Sequence, residues 1–167
     1  YNGKIMEPVS VKINIEANEL YYLDSTGKEM ITVEGLVKKI ECYSFSKDNT
    51  RDVFKAGYPV IDKQNESYYY RVYTEGEIEL LAKRTKYIKI SKNEFSGETA
   101  KEFADAADVL YIYIKNEIKA FHPNKSSVIP LLKDKEQDTN IFIDANKINF
   151  KKIPDLIKLF TYYNGLQ

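Results

Sequence analysis

The sequence predicts an α+β fold: an antiparallel, largely meandering β-sheet, free to curl or close like a barrel, followed by two or three short C-terminal helices. Three observations carry this. Apolar residues recur with period two up to residue 121, and from Asn124 the period changes to near four. The aromatic content, 14 Tyr and 8 Phe without Trp, suits pleated, half-buried surfaces. Seven Gly and five Pro in 167 residues argue against a long flexible linker, so one domain spans 1–167, mainly β over 1–121 and mainly helical over 122–167.

Val9, Val11, Ile13 and Ile15 alternate with polar neighbours and predict a first strand with one wet face. Leu20 to Leu23 is a second, closed by the turn Asp24-Ser25-Thr26-Gly27. Met30 to Val33 and Leu36 to Phe45 follow, broken at Glu34-Gly35. Residues 46–67 are the least regular: a short strand near Val53–Lys55, then a loop over the polar run Asp62-Lys63-Gln64-Asn65-Glu66-Ser67. Around Glu75-Gly76 a two-residue hairpin sets Tyr73 opposite Ile78 and Arg71 opposite Leu80, with Val72 opposite Glu79 and Tyr70 opposite Leu81 on the other surface. Residues 84–91 make the next strand. The polar stretch Asn93 to Asp108 breaks at Ser96-Gly97, and Ala100 to Ala107 reads as a helical turn or an excursion. Val109 to Ile114 is apolar on both faces, which predicts a central strand, returning through Asn116-Glu117 to Ile118, Ala120 and Phe121. The count is roughly eight to ten strands.

Beyond them, Asn124 caps a short helix carrying Val128, Leu131 and Leu132, and Ile141, Phe142 and Ala145 mark a second. The third has Pro154 and Asp155 in its first turn, an apolar stripe of Leu156, Ile157, Phe160 and Tyr163, and Gly165 at its end.

Composition excludes more functions than it selects. Twenty-five basic and 25 acidic residues balance, which predicts no nucleic-acid partner. One Cys forbids an intramolecular disulfide, and one His forbids a multi-histidine metal centre within a chain. No apolar run approaches the roughly 18 residues of a membrane helix. Tyr1 in place of an initiator Met reads as a processed or trimmed product. Asn65-Glu66-Ser67 and Asn124-Lys125-Ser126 are formal glycosylation sequons, of the kind chance supplies often.

The candidate chemistry is sparse. Cys42 and His122 are a nucleophile–base pair only in principle: Cys42 shares a strand face with Ile40 and reads as a small buried hydrophobe, while His122 precedes Pro123 at a strand end. Asp134, Glu136, Asp138 and Asn140 alternate like calcium-loop ligands, but Thr139 replaces the sixth-position Gly and Ala145 the twelfth-position Glu. No spacing singles out a carboxylate pair for glycoside hydrolysis. The run Lys83–Lys92 holds five cations and no acid. Alternation sets Lys83 and Lys89 against Arg84, Lys86 and Lys92, so a lysine-guarded edge strand explains it better than a polyanion site. Tyr68, Tyr69, Tyr70 and Tyr73 with Tyr111 and Tyr113 read as an aromatic patch or a cleft wall, and Tyr69, Arg71, Tyr73, Tyr111 and Tyr113 are the candidate binding surface, against the plainer reading that strand tyrosines pack from core to rim.

One resemblance adds a compartment. Tyr-Tyr-Arg-Val-Tyr-Thr-Glu-Gly-Glu-Ile-Glu-Leu-Leu (69–81) precedes a basic strand. Tyr-Ile-Tyr-Ile-Lys-Asn-Glu-Ile (111–118), Leu-Leu-Lys-Asp-Lys (131–135) and Asp-Leu-Ile-Lys-Leu-Phe-Thr-Tyr-Tyr-Asn (155–164) follow. From Tyr69 onward the chain resembles a recurrent module of uncharacterised exported proteins of Bacteroidetes bacteria, departing at Asn116-Glu117 where a Gly is expected second. The resemblance implies a periplasmic or cell-surface location and carries no activity or site residues. The expected function is therefore a non-catalytic exported or envelope-associated protein acting through surface interactions with a protein or an envelope component. No cofactor, catalytic residue or metal is expected. The alternative is a calycin-like carrier of a small apolar ligand.

Overall fold

The computed structural model describes residues 10–43, 51–84, 86–92, 99–105 and 108–166. Its period-two part folds into eleven strands: β1 (Val11–Asn14), β2 (Glu19–Leu23), β3 (Glu29–Ile31), β4 (Lys39–Tyr43), β5 (Arg51–Lys55), β6 (Tyr70–Val72), β7 (Ile78–Lys83), β8 (Lys86–Lys92), β9 (Thr99–Asp105), β10 (Val109–Ile114) and β11 (Glu117–Phe121). The helical part is α1 (Lys125–Val128), a 3₁₀ segment (Ile129–Lys135), α2 (Glu136–Asn146) and α3 (Ile153–Gly165). The α+β class is as the sequence predicts. Val9, Phe45 and the Ser96-Gly97 break lie outside the described residues. Among the described residues no helix is long and apolar enough to cross a membrane.

Among the described residues the strands do not form one sheet, and no barrel closes. They divide into a three-stranded meander β1-β2-β3, an open six-stranded sheet in the order β11-β10-β7-β6-β5-β4, and a two-stranded ribbon β8-β9, all antiparallel. Closure is unnecessary because one face of the six-stranded sheet is buried from outside. Helices cover it at the β7–β10–β11 end, and the small sheet covers it at the β4–β5 end.

Two adjacent rows show how the register sorts side chains. Ile40, Phe54, Arg71, Ala82, Leu110 and Phe121 are cross-strand partners on the helix-side face. Glu41, Val53, Val72, Leu81, Tyr111 and Ala120 form the next row, on the opposite face. On the first face Ile78, Leu80 and Ile112 join Leu156, Leu159, Phe160 and Tyr163 of α3. Leu159 takes the core position the sequence gives to Ile157, which is half-buried. The observed stripe is thus i, i+3, i+4, i+7.

Three local expectations shift. The β6–β7 register moves by two residues: Arg71 pairs with Ala82 and Val72 with Leu81. Thr74 and Asn164 cause this. The Thr74 hydroxyl accepts from Leu80 N–H (2.9 Å) and donates to Ile78 C=O (3.2 Å). Asn164, at the end of α3, accepts from Ile78 N–H (2.9 Å) and donates to Ile78 C=O (2.8 Å) and Glu75 C=O (3.1 Å). Two side chains thereby replace the last ladder bonds, and a shift of two leaves every residue on its expected face. Gly76 is needed at this joint: its φ is 139°, and a Cβ would lie 2.7 Å from Asn164 Cγ. In the next hairpin the turn is Lys115-Asn116, with φ of 50° and 63°, one residue earlier than expected. A two-residue turn of this hand needs positive φ at both central positions. Finally, Ala100 to Asp105 is strand β9 instead of a helical turn, because a seven-pair ladder with β8, from Lys86–Asp105 to Lys92–Thr99, outweighs the local preference of alanine.

Asn124 caps α1 as expected: its Oδ1 accepts from Ser127 N–H (3.0 Å) while Ser127 Oγ accepts from Asn124 N–H (3.2 Å). Lys135 reaches the C-terminal carbonyls of α3, with Nζ 2.8 Å from Leu166 O, where a cation is favoured. Phe160→Ala should cost about 3–5 kcal/mol, since the ring is fully buried; a denaturant melt showing no loss would reject this docking. Asn164→Ala strands the buried Ile78 N–H and should cost about 1–3 kcal/mol. It should also speed hydrogen exchange at Ile78 while far edges stay protected; unchanged exchange there would remove Asn164 as the joint.

Candidate functional site

Strand alternation divides the five surface candidates between opposite faces. Tyr69, Arg71 and Tyr73 fall in the phase of the helix-side row, and Tyr111 and Tyr113 in the other. Tyr69 is buried with Leu20, Ile40 and Phe54, its hydroxyl donating to Val37 C=O at 2.9 Å. Arg71 pairs with Asp52 and lies 5.1 Å from the centroid of the Tyr73 ring. The Tyr73 hydroxyl donates to Asp108 at 2.8 Å. Tyr111 is buried, donating to Asp62 at 2.7 Å, and Tyr113 donates to Asn116 at 3.1 Å. They do not make one surface.

The second face is instead closed by the segment 56–69. Tyr58 and Tyr68 fold back onto the sheet: Tyr58 meets Tyr70 and Tyr113, Tyr68 meets Tyr70, and Tyr70 in turn meets Tyr111, all edge-on at centroid distances of 4.9–5.6 Å. Glu79, buried in β7, accepts from the Tyr58 hydroxyl and from Lys55 Nζ at 2.7 Å. The pairing continues outward from Lys55 to Glu75 (3.9 Å), Lys39 (2.9 Å) and Glu41 (3.1 Å), and reaches Arg51. The Tyr70 hydroxyl is buried beneath these rings without a partner.

The remaining candidates are dispersed. Cys42 is half-buried on the Ile40 face, and burial, then Asp52, pushes its thiol pKa up, away from nucleophilic character. His122 follows β11, so five interstrand steps, about 24 Å, separate the two edges that carry the pair. Asp134 sits in the 3₁₀ segment, accepting from the Tyr163 hydroxyl, and Glu136, Asp138 and Asn140 lie on α2, where alternate residues diverge. The basic run ends β7 at Lys83 and forms β8 of the ribbon.

A concave site lies elsewhere, between the small sheet and residues 63–69. A cleft of about 460 Å³ is lined by residues 16–20, 31–32, 34–35, 63–65 and 67–69. Its walls are stitched together. Asn18, at φ 55°, donates from Nδ2 to Ser67 C=O (3.0 Å) and accepts from Tyr69 N–H (2.9 Å), and Asn65 Nδ2 donates to Glu34 (2.9 Å). Gly35, at φ 73°, lets the backbone approach Ser67, whose Oγ would lie 3.1 Å from an added Cβ. Six lining side chains, Glu16, Thr32, Lys63, Gln64, Ser67 and Tyr68, make no polar side-chain hydrogen bond and no ion pair among the described residues. Five of those are exposed or half-buried and meet water. Gln64 is 7% exposed, and its Oε1 is dry and without a donor.

Of the sequence candidates Tyr68 and Tyr69 line this cleft. The polar run 62–67 was visible as a loop, but the partner that makes it a wall, Asn18, is 49 residues from Ser67. Comparison with protein-family models, curated proteins and solved structures finds no match for the chain.

Burial first, then a neighbouring carboxylate, pushes Tyr73 up to about 12, and Tyr58, Tyr70, Tyr111 and Tyr163 are also held well above the ordinary range, with burial the largest cause. In alkali the unfolded chain then loses phenolic protons that the fold retains. Stability should be level below an unfolded tyrosine pKa of about 10 and fall as pH rises through it. Urea midpoints measured across that range check this, with Tyr73→Phe flattening part of the fall up to about 12; a pH-independent midpoint would contradict the burial of these phenols.

Proposed function

We propose that this protein is a non-catalytic binding module of the exported or envelope-associated kind, acting through the cleft between the small sheet and residues 63–69. The observation that carries the reading is a polar concavity whose walls are pinned by Asn18 and Asn65 while six lining side chains keep free hydrogen-bonding capacity. Its volume falls within the roughly 300–1,000 Å³ of small-molecule sites. Pinned walls favour binding because little ordering entropy remains to be lost. The non-catalytic part is supported by the dispersal of the reactive candidates: Cys42 and His122 sit at opposite sheet edges, and Glu79 is spent on Lys55 and Tyr58. The export part rests on the resemblance of residues 69–167 to exported bacterial proteins.

Backbone amide shifts recorded with mixtures of neutral sugars, short peptides, nucleotides and fatty acids test the reading. Perturbation should concentrate at Asn18, Thr32, Gly35, Ser67 and Tyr69. Perturbation confined to the Tyr58–Tyr113 face, or a silent cleft with every mixture, would overturn it.

A further inference from the structure

Resting on that reading, we infer that the cleft takes a neutral glycan, a short oligosaccharide presenting several hydroxyls. The free inventory of the lining carries the argument. Three glutamates line the cleft, but Glu34 is engaged by Asn65 and Glu19 by the Tyr21 hydroxyl (2.6 Å), leaving Glu16 as the free carboxylate. Lys63 is the one cation of the lining among the described residues, and Glu19 and Glu34 keep their charge under these neutral donors, so the cleft is formally acidic and disfavours anions. The four other unpaired groups are neutral: the hydroxyls of Thr32, Ser67 and Tyr68 and the amide of Gln64. Hydroxyls and amides both donate and accept, as sugar hydroxyls do. A phosphate or carboxylate ligand would find one ammonium against the three carboxylates of Glu16, Glu19 and Glu34. An apolar ligand would strip water from five polar side chains and replace none of their bonds. The half-buried Tyr68 adds aromatic surface of the kind that packs against the C–H face of a sugar ring.

Gln64 supplies the independent pointer. Nine-tenths of this side chain is buried, it lines the cleft, and its carbonyl oxygen has no donor. A buried acceptor in that state is an unmet demand for a hydrogen, and a ligand hydroxyl meets it once the Gln64 amide turns into the cleft. Gln64 is therefore assigned as the residue that reads a sugar hydroxyl, with Tyr68 and Ser67 beside it.

The test is calorimetric titration of the intact chain with maltotriose, cellotriose and chitotriose, alongside a trigalacturonate, a lysine tripeptide and inorganic phosphate. At least one neutral trisaccharide should bind saturably and shift the Gln64 and Ser67 resonances, and the trigalacturonate and phosphate should bind more weakly. Gln64→Met should reduce that affinity about tenfold or more, the scale of one lost hydrogen bond in a dry site. The same variant should leave the melting temperature unchanged or raised, since it removes a buried acceptor that lacks a donor. Tyr68→Phe keeps the ring and should give a smaller loss. Binding unaffected by Gln64→Met, or a neutral set that fails while the lysine tripeptide shifts the cleft, would overturn the glycan assignment and leave the binding-module reading standing. A cleft silent to all six probes would sink both.

Discussion

Strand β7 loses water from both faces at once, and the layers of the protein are arranged around that constraint. Ile78, Leu80, Leu81 and Ala82 are fully buried and Glu79 nearly so. A strand in the middle of a sheet gains neighbours left and right from the ladder, but its faces must be covered by other elements. On one face the cover is α3, whose four-residue stripe is the strongest apolar signal of the helical third of the chain. On the other it is segment 56–69 with its tyrosines. The joint between α3 and the β6–β7 turn is made by Asn164, so helix position and hairpin register are one structural decision.

Glu79 turns this constraint into an address for a loop. A carboxylate in a dry strand is costly unless it is paired and hydrogen-bonded. Lys55 supplies the charge from β5, and Tyr58 supplies the hydroxyl from the loop that follows. Tying Tyr58 down holds segment 56–69 over the sheet, where Asp62 receives the Tyr111 hydroxyl. The same segment then carries Lys63, Gln64, Asn65 and Ser67 to the rim of the small sheet. The tyrosine cluster is therefore a structural clamp, and its consequence for binding is indirect: it positions a polar wall.

The small sheet has a double role. Its Leu20 and Ile13 pack with Ile40 and Phe54, which shields the β4–β5 end of the large sheet. Its turn residue Asn18, held in a left-handed conformation that asparagine tolerates, bridges to Ser67 and Tyr69. Packing and stitching leave a gap between the two walls that is polar, because it is built from turn and loop residues selected for backbone geometry and solvation. That origin explains why the cleft presents hydroxyls, amides and charged groups in place of an apolar pocket.

The chain's local chemistry determined the α+β class, the meander, the Asn124 cap, the interior character of Val109–Ile114 and the C-terminal helix. Each of these depends on periodicity, a capping side chain or a run of apolar residues, and such signals act over a few neighbouring positions. The parity of the β6–β7 hairpin was legible for the same reason, since alternation assigns faces whatever the loop length; its two-residue shift was not, because Asn164 enters from 86 positions away. Only the tertiary structure decided that eleven strands divide into three sheets without closing, that Tyr69, Arg71 and Tyr73 part company with Tyr111 and Tyr113, and that Asn18 meets Ser67 to form a cleft. Those outcomes turn on which buried surfaces find one another and on hydrogen bonds spanning dozens of residues, information that no local pattern in the chain contains.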